Sequence, residues 1–180
     1  MTNTKWKKSE RKLLKEYPIF SVWEEKCTNP RNGHQSTFFL MTGLDWANVI
    51  ALTPDKKVVL VKQYRRGTDQ YTLEIPGGCI EKGEQPIESA IRELREETGY
   101  GSQKPPTFLG TAAANPAMQT IKAHTFLIED VTLEHKTELD LGEDIEVILM
   151  PLDEVLDKLR DGSIDHAIVL SAFLKFLLKS

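Results

Sequence analysis

The most constraining stretch of the chain lies between Gly78 and Tyr100, where a glycine-containing loop leads into one short, highly charged helix. Pro86 suits the first helical position, where a missing N–H costs nothing, and Gly99 suits the left-handed residue that follows a last turn. The pattern predicts a helix over residues 86–98. Apolar residues recur at helical spacing and are expected to form its buried stripe: Ile87, Ala90, Ile91 and Leu94.

The polar side of this helix carries three glutamates close together. Glu93 and Glu97 are four residues apart and share a face, with Glu96 beside them. Like charges at this spacing destabilise a helix by roughly 0.2–0.5 kcal/mol per pair. One interpretation is a solvated face with salt bridges. The other is a site for a hard divalent cation such as Mg²⁺, which prefers carboxylate oxygens and often shares a phosphate-bearing substrate.

The same stretch matches every specified position of the Nudix box: Gly78, Glu84, Arg92-Glu93-Leu94, Glu96-Glu97, Gly99 and an apolar or aromatic residue at Tyr100. The chain therefore resembles the Nudix hydrolases. The pattern of elements alone predicts an α/β or α+β fold. The resemblance implies the α/β fold of that family, an α/β/α sandwich with a mixed sheet and a catalytic loop-helix-loop. It also implies hydrolysis of a nucleoside diphosphate linked to another moiety, with Mg²⁺ or Mn²⁺ as cofactor.

The resemblance also assigns roles within the box. Three carboxylates are implied to bind the metal: Glu93, Glu96 and Glu97. Glu96 is counted among the catalytic residues as well, and the carbonyl of Gly77 is implied to be a further metal ligand. Arg92 is expected to act on the catalytic carboxylates by orienting them, through a pair with Glu84 or with a metal-binding glutamate.

A loop acid downstream of the box is implied to position or deprotonate the attacking water. Four acids in the acidic, turn-rich segment 129–144 are candidates: Glu138, Asp140, Glu143 and Asp144. Glu143 is favoured because it lies just before the strand predicted at 145–150. In the alternative, the box glutamates activate the water and the loop binds metal only.

Further segments resemble the branch of ADP-ribose and nucleoside diphosphate sugar pyrophosphatases: residues 61–65, residues 73–78, Pro116 and residues 162–167. Arg65 is expected to contact a substrate phosphate or ribose, because arginine matches phosphate oxygens bidentately. Glu74 either pairs with Arg65 or holds the base. Trp46 is a candidate to stack on the base, with core or interface packing as the alternative.

One departure from that branch concerns substrate choice. Its ADP-ribose members often carry a glycine after the proline and an acid a few residues later. Here Pro116 is followed by Ala-Met-Gln-Thr, with neither residue. The departure leaves room for nucleoside diphosphate sugars other than ADP-ribose.

The rest of the chain is expected to form one Nudix domain over residues 19–180, preceded by a polar, lysine-rich, partly helical arm over residues 1–18. A continuous apolar run over residues 58–61 predicts a strand buried on both faces. Helices are predicted at 151–160 and 164–178, the last with a core stripe of Val169, Phe173, Phe176 and Leu177. The branch implies a homodimer in which residues 19–42 complete the neighbour's substrate pocket.

Composition limits the kinds of molecule that the protein is expected to bind. The net charge of −4 argues against nucleic-acid binding, which usually needs a basic surface. No apolar run approaches the ~18 residues of a membrane span, and no signal peptide is evident. The two cysteines, Cys27 and Cys79, lie in no pairing motif. The expectation is a cytoplasmic protein with reduced thiols and a small nucleotide sugar as its partner, without nucleic acid or membrane.

The leading hypothesis is a metal-dependent pyrophosphatase that converts nucleoside diphosphate sugars, such as ADP-ribose or ADP-glucose, to a nucleoside monophosphate and a sugar phosphate. Two alternatives stay open. One is a house-cleaning hydrolase of dinucleotides or dinucleoside polyphosphates, against which the sugar-branch segments argue. The other is a sensor that binds a nucleotide sugar without turnover, against which the complete set of box glutamates argues.

Overall fold

A computed structural model describes residues 5–139 and 141–179 of the chain. The chain divides into two compact units. The larger unit comprises Asp45–Ala112 and Ala123–Ser180, and the smaller comprises Met1–Leu44 and Ala113–Lys122.

The strands of the described residues are, in chain order, β1 Lys7–Glu16, β2 Phe20–Thr28, β3 Gln35–Gly43, β4 Trp46–Leu52, β5 Lys57–Arg65, β6 Gln70–Glu74, β7 Gly77–Cys79, β8 Tyr100–Gly101, β9 Thr107–Ala113, β10 Lys122–Glu129, β11 Thr132–Leu133 and β12 Ile145–Pro151. The helices are α1 Pro86–Thr98, α2 Leu152–Arg160 and α3 Ala167–Lys179. The helix predicted at 86–98 is confirmed at both ends.

A mixed seven-stranded sheet forms the centre of the larger unit, with the strand order β12-β5-β4-β10-β9. β10 runs parallel to β4, whereas β5 runs antiparallel to both β4 and β12. β4 and β5 pair through Ala51 with Val59 and Leu52 with Val58. Beyond these pairs, β6 takes the edge of β5 and β7 takes the edge of β4, so the sheet forks.

Side-chain alternation along β4 explains why helices cover both faces of the sheet. Ile50 and Leu52 pack in one core cluster together with side chains of α2 and α3, including Phe173. Ala47, Val49 and Ala51 point the other way, into a cluster with Ala90 and Leu94 of α1. The α/β/α sandwich is therefore confirmed. The apolar run of residues 58–61 is buried on both faces, as predicted.

The buried face of α1 differs from the predicted stripe. Ala90 and Leu94 are buried, but Ile87 and Ile91 are 38% and 47% exposed. Glu93 and Glu97 are buried in their place, at 8% and 3% exposure. The prediction was wrong for the two isoleucines. It assumed that the most apolar face of the helix is the buried one, whereas this helix buries a face that carries two carboxylates.

The predicted core stripe of α3 is confirmed for three of its four residues. Val169 and Phe173 are buried, and Phe176 packs against the same cluster. Leu177 is 49% exposed, so its assignment to the core was wrong.

The smaller unit contains a three-stranded antiparallel sheet in the order β1-β2-β3. The prediction of a partly helical arm was wrong for residues 7–16, because they form strand β1. Every residue of β1 is exposed, and charged pairs join it to β2: Lys8 with Glu25 at 3.2 Å and Glu10 with Lys26 at 3.3 Å. These partners are distant in sequence, so local composition does not reveal them.

None of the helices in the described ranges has the length and apolarity that crossing a membrane requires. Both cysteines are free, Cys27 in a buried position and Cys79 in an exposed one.

The true buried face of α1 can be tested with two substitutions of equal type. Leu94→Ala should lower the free energy of unfolding by about 2–5 kcal/mol, because it leaves a cavity in the core. Ile91→Ala should change it by no more than about 0.5 kcal/mol, because that side chain is half exposed. Urea unfolding of both variants measures the difference, and equal losses would contradict this packing.

Candidate active site

The loop before α1 lies directly against the carboxylate face of the helix. The N–H of Gly77 donates a hydrogen bond to Glu97 Oε2 at 2.9 Å. A Cβ on Gly78 would lie 2.5 Å from Glu93 Oε1, and a Cβ on Gly77 would lie 2.4 Å from the carbonyl oxygen of Ala47. At Gly77 only glycine fits, because the backbone of β4 blocks a Cβ. At Gly78 a Cβ would displace the Glu93 carboxylate from its position.

Arg92 holds the loop and the helix together. Its Nε and Nη2 donate to the two carboxylate oxygens of Glu84 at 2.9 and 3.1 Å. Its Nη1 donates to Glu93 Oε1 at 2.8 Å and to Glu96 Oε2 at 3.0 Å. The sequence left a choice between Glu84 and a box glutamate as its partner, and the structure shows that Arg92 pairs with both. The hydrogen bonds from Arg92 lower the pKa of Glu84.

The two buried glutamates are electrostatically unlike Glu84. The pKa of Glu97 is raised to about 8, mainly by burial and also by the negative charges of Glu93 and Glu143, against the opposing effect of the Gly77 N–H. Burial also raises the pKa of Glu93, although Arg92 opposes this. A buried carboxylate is costly unless a positive charge compensates it. The site is therefore short of positive charge.

The donor set fits a hard divalent cation, since it offers carboxylate and backbone oxygens. Within residues 5–139 and 141–179, no three His, Cys, Asp or Glu side chains converge closely enough to hold an ion as they stand. The hydrogen bonds account for this arrangement. Arg92 Nη1 bridges Glu93 and Glu96, and Glu97 is turned to the Gly77 N–H. Burial disfavours the ionised forms of these carboxylates, and a bound cation would stabilise them.

Of the predicted loop acids, Glu143 is half-buried, and its charge acts on the pKa values of Glu93, Glu97 and Arg65. Asp144 instead accepts a hydrogen bond from Tyr71 Oη at 2.5 Å. Glu138 has an exposed side chain, and its backbone N–H donates to the carbonyl of Glu96 at 2.8 Å. Asp140 lies outside the described residues. The structure thus brings Glu143 into the electrostatic field of the buried glutamates.

A cavity of about 580 Å³ opens in the larger unit where the sheet forks, and residues of both branches line it. Its wall includes Trp46, Arg65, Glu74 and the glycines Gly77 and Gly78. This volume is typical of a small-molecule site. All the predicted substrate-binding residues therefore border one cavity, and the glycine loop that contacts Glu93 and Glu97 forms part of its wall.

Arg65 of β5 and Glu74 of β6 form a bidentate ion pair within one branch of the fork, with Nε–Oε1 and Nη2–Oε2 distances of 2.7 and 2.8 Å. Burial raises the pKa of Glu74, but hydrogen bonds from Arg65 and Thr72 outweigh this, so that the pKa is lowered. The sequence left open whether Glu74 pairs with Arg65 or holds a base. The structure shows the pair.

Among the polar residues of the cavity wall that were not singled out from the sequence, Asn48 and His166 have polar atoms that are unpaired within the described ranges. Asn48 interrupts an apolar strand, and this was the available signal. His166 lies within the segment 162–167 that resembles the sugar branch, but the resemblance gave it no role. Neither the amide of Asn48 nor Nδ1 of His166 has a hydrogen-bond partner among the described residues. A buried polar group without a partner costs about 1–3 kcal/mol.

The raised pKa of Glu97 predicts a pH-dependent stability. With metal chelated by EDTA, the free energy of unfolding of the wild type should fall, relative to Glu97→Gln, as pH rises from about 5 to 8. Between the ordinary value of 4.5 and the folded-state value of about 8, the unfolded chain has released this proton while the folded chain still holds it. Stability is therefore lost as pH rises through this window.

Urea titrations at about pH 5, 6.5 and 8 measure the effect. Glu146→Gln is the matched control, because Glu146 is exposed and pairs with Lys62 at the surface. Its pH profile should follow that of the wild type. Parallel profiles for the wild type and Glu97→Gln would contradict the assignment.

Comparisons with known proteins agree with the site. The model of the NUDIX domain family matches residues 45–173. The ADP-ribose pyrophosphatase of Bacillus subtilis is 35% identical over 156 residues, which cover 83% of each chain. A methanol dehydrogenase activator of Bacillus methanolicus is 36% identical over 117 residues, 64% of this chain and 63% of that protein. The chain thus spans slightly less than two thirds of the second relative.

Among solved structures, a crystal structure of an ADP compounds hydrolase superposes with a TM-score of 0.85 at 25% sequence identity. The match covers 99% of this chain and 95% of that one. It extends the likeness beyond the matched domain to the smaller unit. Because the family model spans most of the chain and the Bacillus subtilis relative aligns over 83% of it, the chain belongs to the NUDIX domain family and is a Nudix hydrolase, of a family that generally depends on a divalent metal ion.

Proposed function

We propose that this Nudix hydrolase cleaves the diphosphate linkage of nucleoside diphosphate sugars and releases a nucleoside monophosphate and a sugar phosphate. The position of the cavity carries this proposal. Its wall includes Gly77 and Gly78, the two glycines that lie against Glu97 and Glu93. A nucleotide sugar in the cavity therefore presents its linkage to the carboxylate cluster. The relatives named as hydrolases of ADP-ribose and ADP compounds support this substrate class.

The metal ligands in this proposal are Glu93, Glu96 and Glu97, together with the carbonyl of Gly77, and the ion is Mg²⁺ or Mn²⁺. When bound, the ion neutralises phosphate oxygens and lowers the pKa of a coordinated water. Arg92 keeps Glu93 and Glu96 in fixed orientations through Nη1. Because Arg92 is itself fixed by two bonds to Glu84, the loop determines where the carboxylates point.

The substrate is held by groups on the cavity wall. The Arg65 side chain is partly exposed, and its ion pair with Glu74 holds it in position. Its guanidinium would donate hydrogen bonds to phosphate or ribose oxygens. Trp46 offers a ring face to the base. Glu143 takes the proton of the attacking water, since it is the described loop acid whose charge acts on the buried glutamates.

The substrate class is tested by a panel of compounds with Mg²⁺ and a phosphatase that unmasks the monoester products. The panel contains ADP-ribose, ADP-glucose, GDP-mannose, UDP-glucose and diadenosine polyphosphates. We expect turnover of at least one sugar, and loss of it in Glu97→Gln purified in the same way. Cleavage of the dinucleotides alone would favour the dinucleotide hydrolase, and binding without turnover would favour the sensor.

The role of Glu143 is tested by Glu143→Gln. We expect kcat to fall by about 100-fold with KM within about twofold, because a general base acts on the chemical step and not on substrate binding. Steady-state kinetics with the best sugar substrate measure both constants. Glu146→Gln removes the same charge three residues along, at the surface, and should retain wild-type values. A change in KM alone for Glu143→Gln would contradict the role.

The protein is further proposed to be a homodimer formed through residues 19–42 and the strand beside them. The supporting observation is exposed apolar side chains on the sheet of the smaller unit: Leu13, Leu14, Phe38 and Phe39. Such groups on a sheet surface mark interaction sites.

Light scattering should give twice the mass of one chain, and Phe39→Lys should give a monomer. Leu149→Lys, at a comparably exposed apolar residue of the larger unit, should leave the dimer intact. A monomeric wild type would overturn the dimer.

A cytoplasmic location is also proposed. The free thiols of Cys27 and Cys79 support it, since oxidising compartments favour disulfides.

A further inference from the structure

The cavity wall contains two side chains whose polar atoms are buried and unsatisfied. Asn48 is 5% exposed, and neither its Nδ2 nor its Oδ1 has a hydrogen-bond partner among the described residues. Nδ1 of His166 is also buried and without a partner among them, although the His166 side chain as a whole is 28% exposed. Buried polar groups without partners are rare in folded proteins, and each requires an explanation. Both residues line the same cavity, so a common explanation is a ligand that enters it.

The position of Asn48 is fixed by the active-site loop. A Cβ on Gly77 would lie 2.8 Å from Asn48 Cα, so the backbone of β4 is in close contact with the loop that meets Glu97. Asn48 also pairs with Gly77 in the register of β4 and β7. The backbone of Asn48 is therefore held against the active-site loop. By the alternation of β4 its side chain lies on the same face as Ile50, where it lines the cavity.

The position of His166 is fixed by the other branch of the fork. Its Nε2 lies 3.8 Å from Glu74 Oε2, and Glu74 is anchored by Arg65 and Thr72. A carboxylate on this side favours the tautomer with its proton on Nε2. Nδ1 is then an acceptor. Asn48 contributes an NH₂ donor group and a carbonyl acceptor, so the two residues together offer one donor group and two acceptor atoms.

We propose that Asn48 and His166 are specificity-determining residues that hydrogen-bond hydroxyl groups of the sugar half of a nucleoside diphosphate sugar. This inference rests on the proposed function and names the part of the substrate that these residues recognise. Each sugar hydroxyl is both donor and acceptor, which matches the groups that the two side chains present.

The other parts of the substrate fit this wall less well. A phosphate brings only acceptors, which would oppose Asn48 Oδ1 and His166 Nδ1 and the carboxylate of Glu74. A base is held largely through stacking, and Trp46 is the one Phe, Tyr or Trp side chain among the described residues that line the cavity. The wall at Asn48 and His166 therefore forms hydrogen bonds to hydroxyl groups.

The test compares two substrates that differ only in the sugar. One is the nucleotide sugar that the wild type cleaves best. The other is the methyl ester of the same nucleoside diphosphate, which keeps the base and both phosphates but has no sugar hydroxyls beyond them. Asn48→Leu and His166→Phe remove the polar atoms with little change of shape. His135→Phe, at an exposed histidine outside the cavity wall, is the control.

For each of the two variants we expect kcat/KM for the nucleotide sugar to fall by about tenfold, which corresponds to about 1.4 kcal/mol, mainly through KM. We expect the value for the methyl ester to stay within about twofold. Where ester turnover is too slow to measure, its Ki against the nucleotide sugar gives the same comparison. Equal losses for both compounds would overturn the inference, because they would place the two residues on the nucleoside, its ribose included, or on the diphosphate.

Thermal unfolding separates recognition from packing. Asn48→Leu should keep or raise the melting temperature, because it removes an unpaired buried amide. An unchanged preference between the two substrates, with melting raised, would overturn the inference and leave ordered water as the partner. If Asn48→Leu does not fold, Asn48→Ser, which keeps a donor and an acceptor on a shorter side chain, should show an intermediate loss for the sugar alone.

Failure of the proposed function has a different signature. If the wild type cleaves no nucleotide sugar, the proposed function is wrong whatever the variants do. Calorimetry then decides the inference on binding alone. It stands if the wild type binds the nucleotide sugar and Asn48→Leu binds it about tenfold more weakly, and it fails otherwise.

Discussion

The burial of two glutamates of α1 against a glycine loop is the constraint on which the rest of the site depends. Glu97 accepts a hydrogen bond from the N–H of Gly77, and the Glu93 carboxylate lies where a Cβ on Gly78 would be. Burial raises the pKa of both carboxyls, so their ionised forms need a positive charge from outside the helix. A divalent ion would supply this positive charge, and the family to which the chain belongs generally depends on one.

Two arginines distinguish the carboxylates that are neutralised by an ion pair within the chain from those that are not. Glu84 and Glu74 each receive a bidentate guanidinium, from Arg92 and Arg65, and in both the pKa is lowered. These acids are compensated within the chain and serve as anchors. Glu97 receives a single backbone N–H and remains under-compensated. The contrast arises from partners and burial, since all three are the same residue type.

The wrong predictions have a common physical cause, which is that each depended on contacts with parts of the chain outside the segment considered. Ile87 and Ile91 were assigned to the core because hydrophobicity normally decides which face of a helix is buried. In α1 the inward face follows the chemistry of the site, and the isoleucines are left outside. Residues 7–16 were assigned to an arm because their composition is polar. Backbone pairing with β2 and non-local charge pairs make them a strand, and neither is visible in a local window.

The sequence by itself determined the helix at 86–98, the glycine loop, the buried central strand at 58–61 and the family, because these depend on local spacing and on a motif with many specified positions. Tertiary structure alone decided that Arg92 joins Glu84 to two box glutamates and that Glu74 pairs with Arg65. It also decided that Asn48 and His166 share one cavity wall. In the two ion-pair arrangements the partners are at most nine residues apart, and the packing of the loop and of the β5–β6 hairpin selects one pairing among those that the spacing allows. Asn48 and His166 are far apart in the chain, and only the tertiary fold brings them to one cavity.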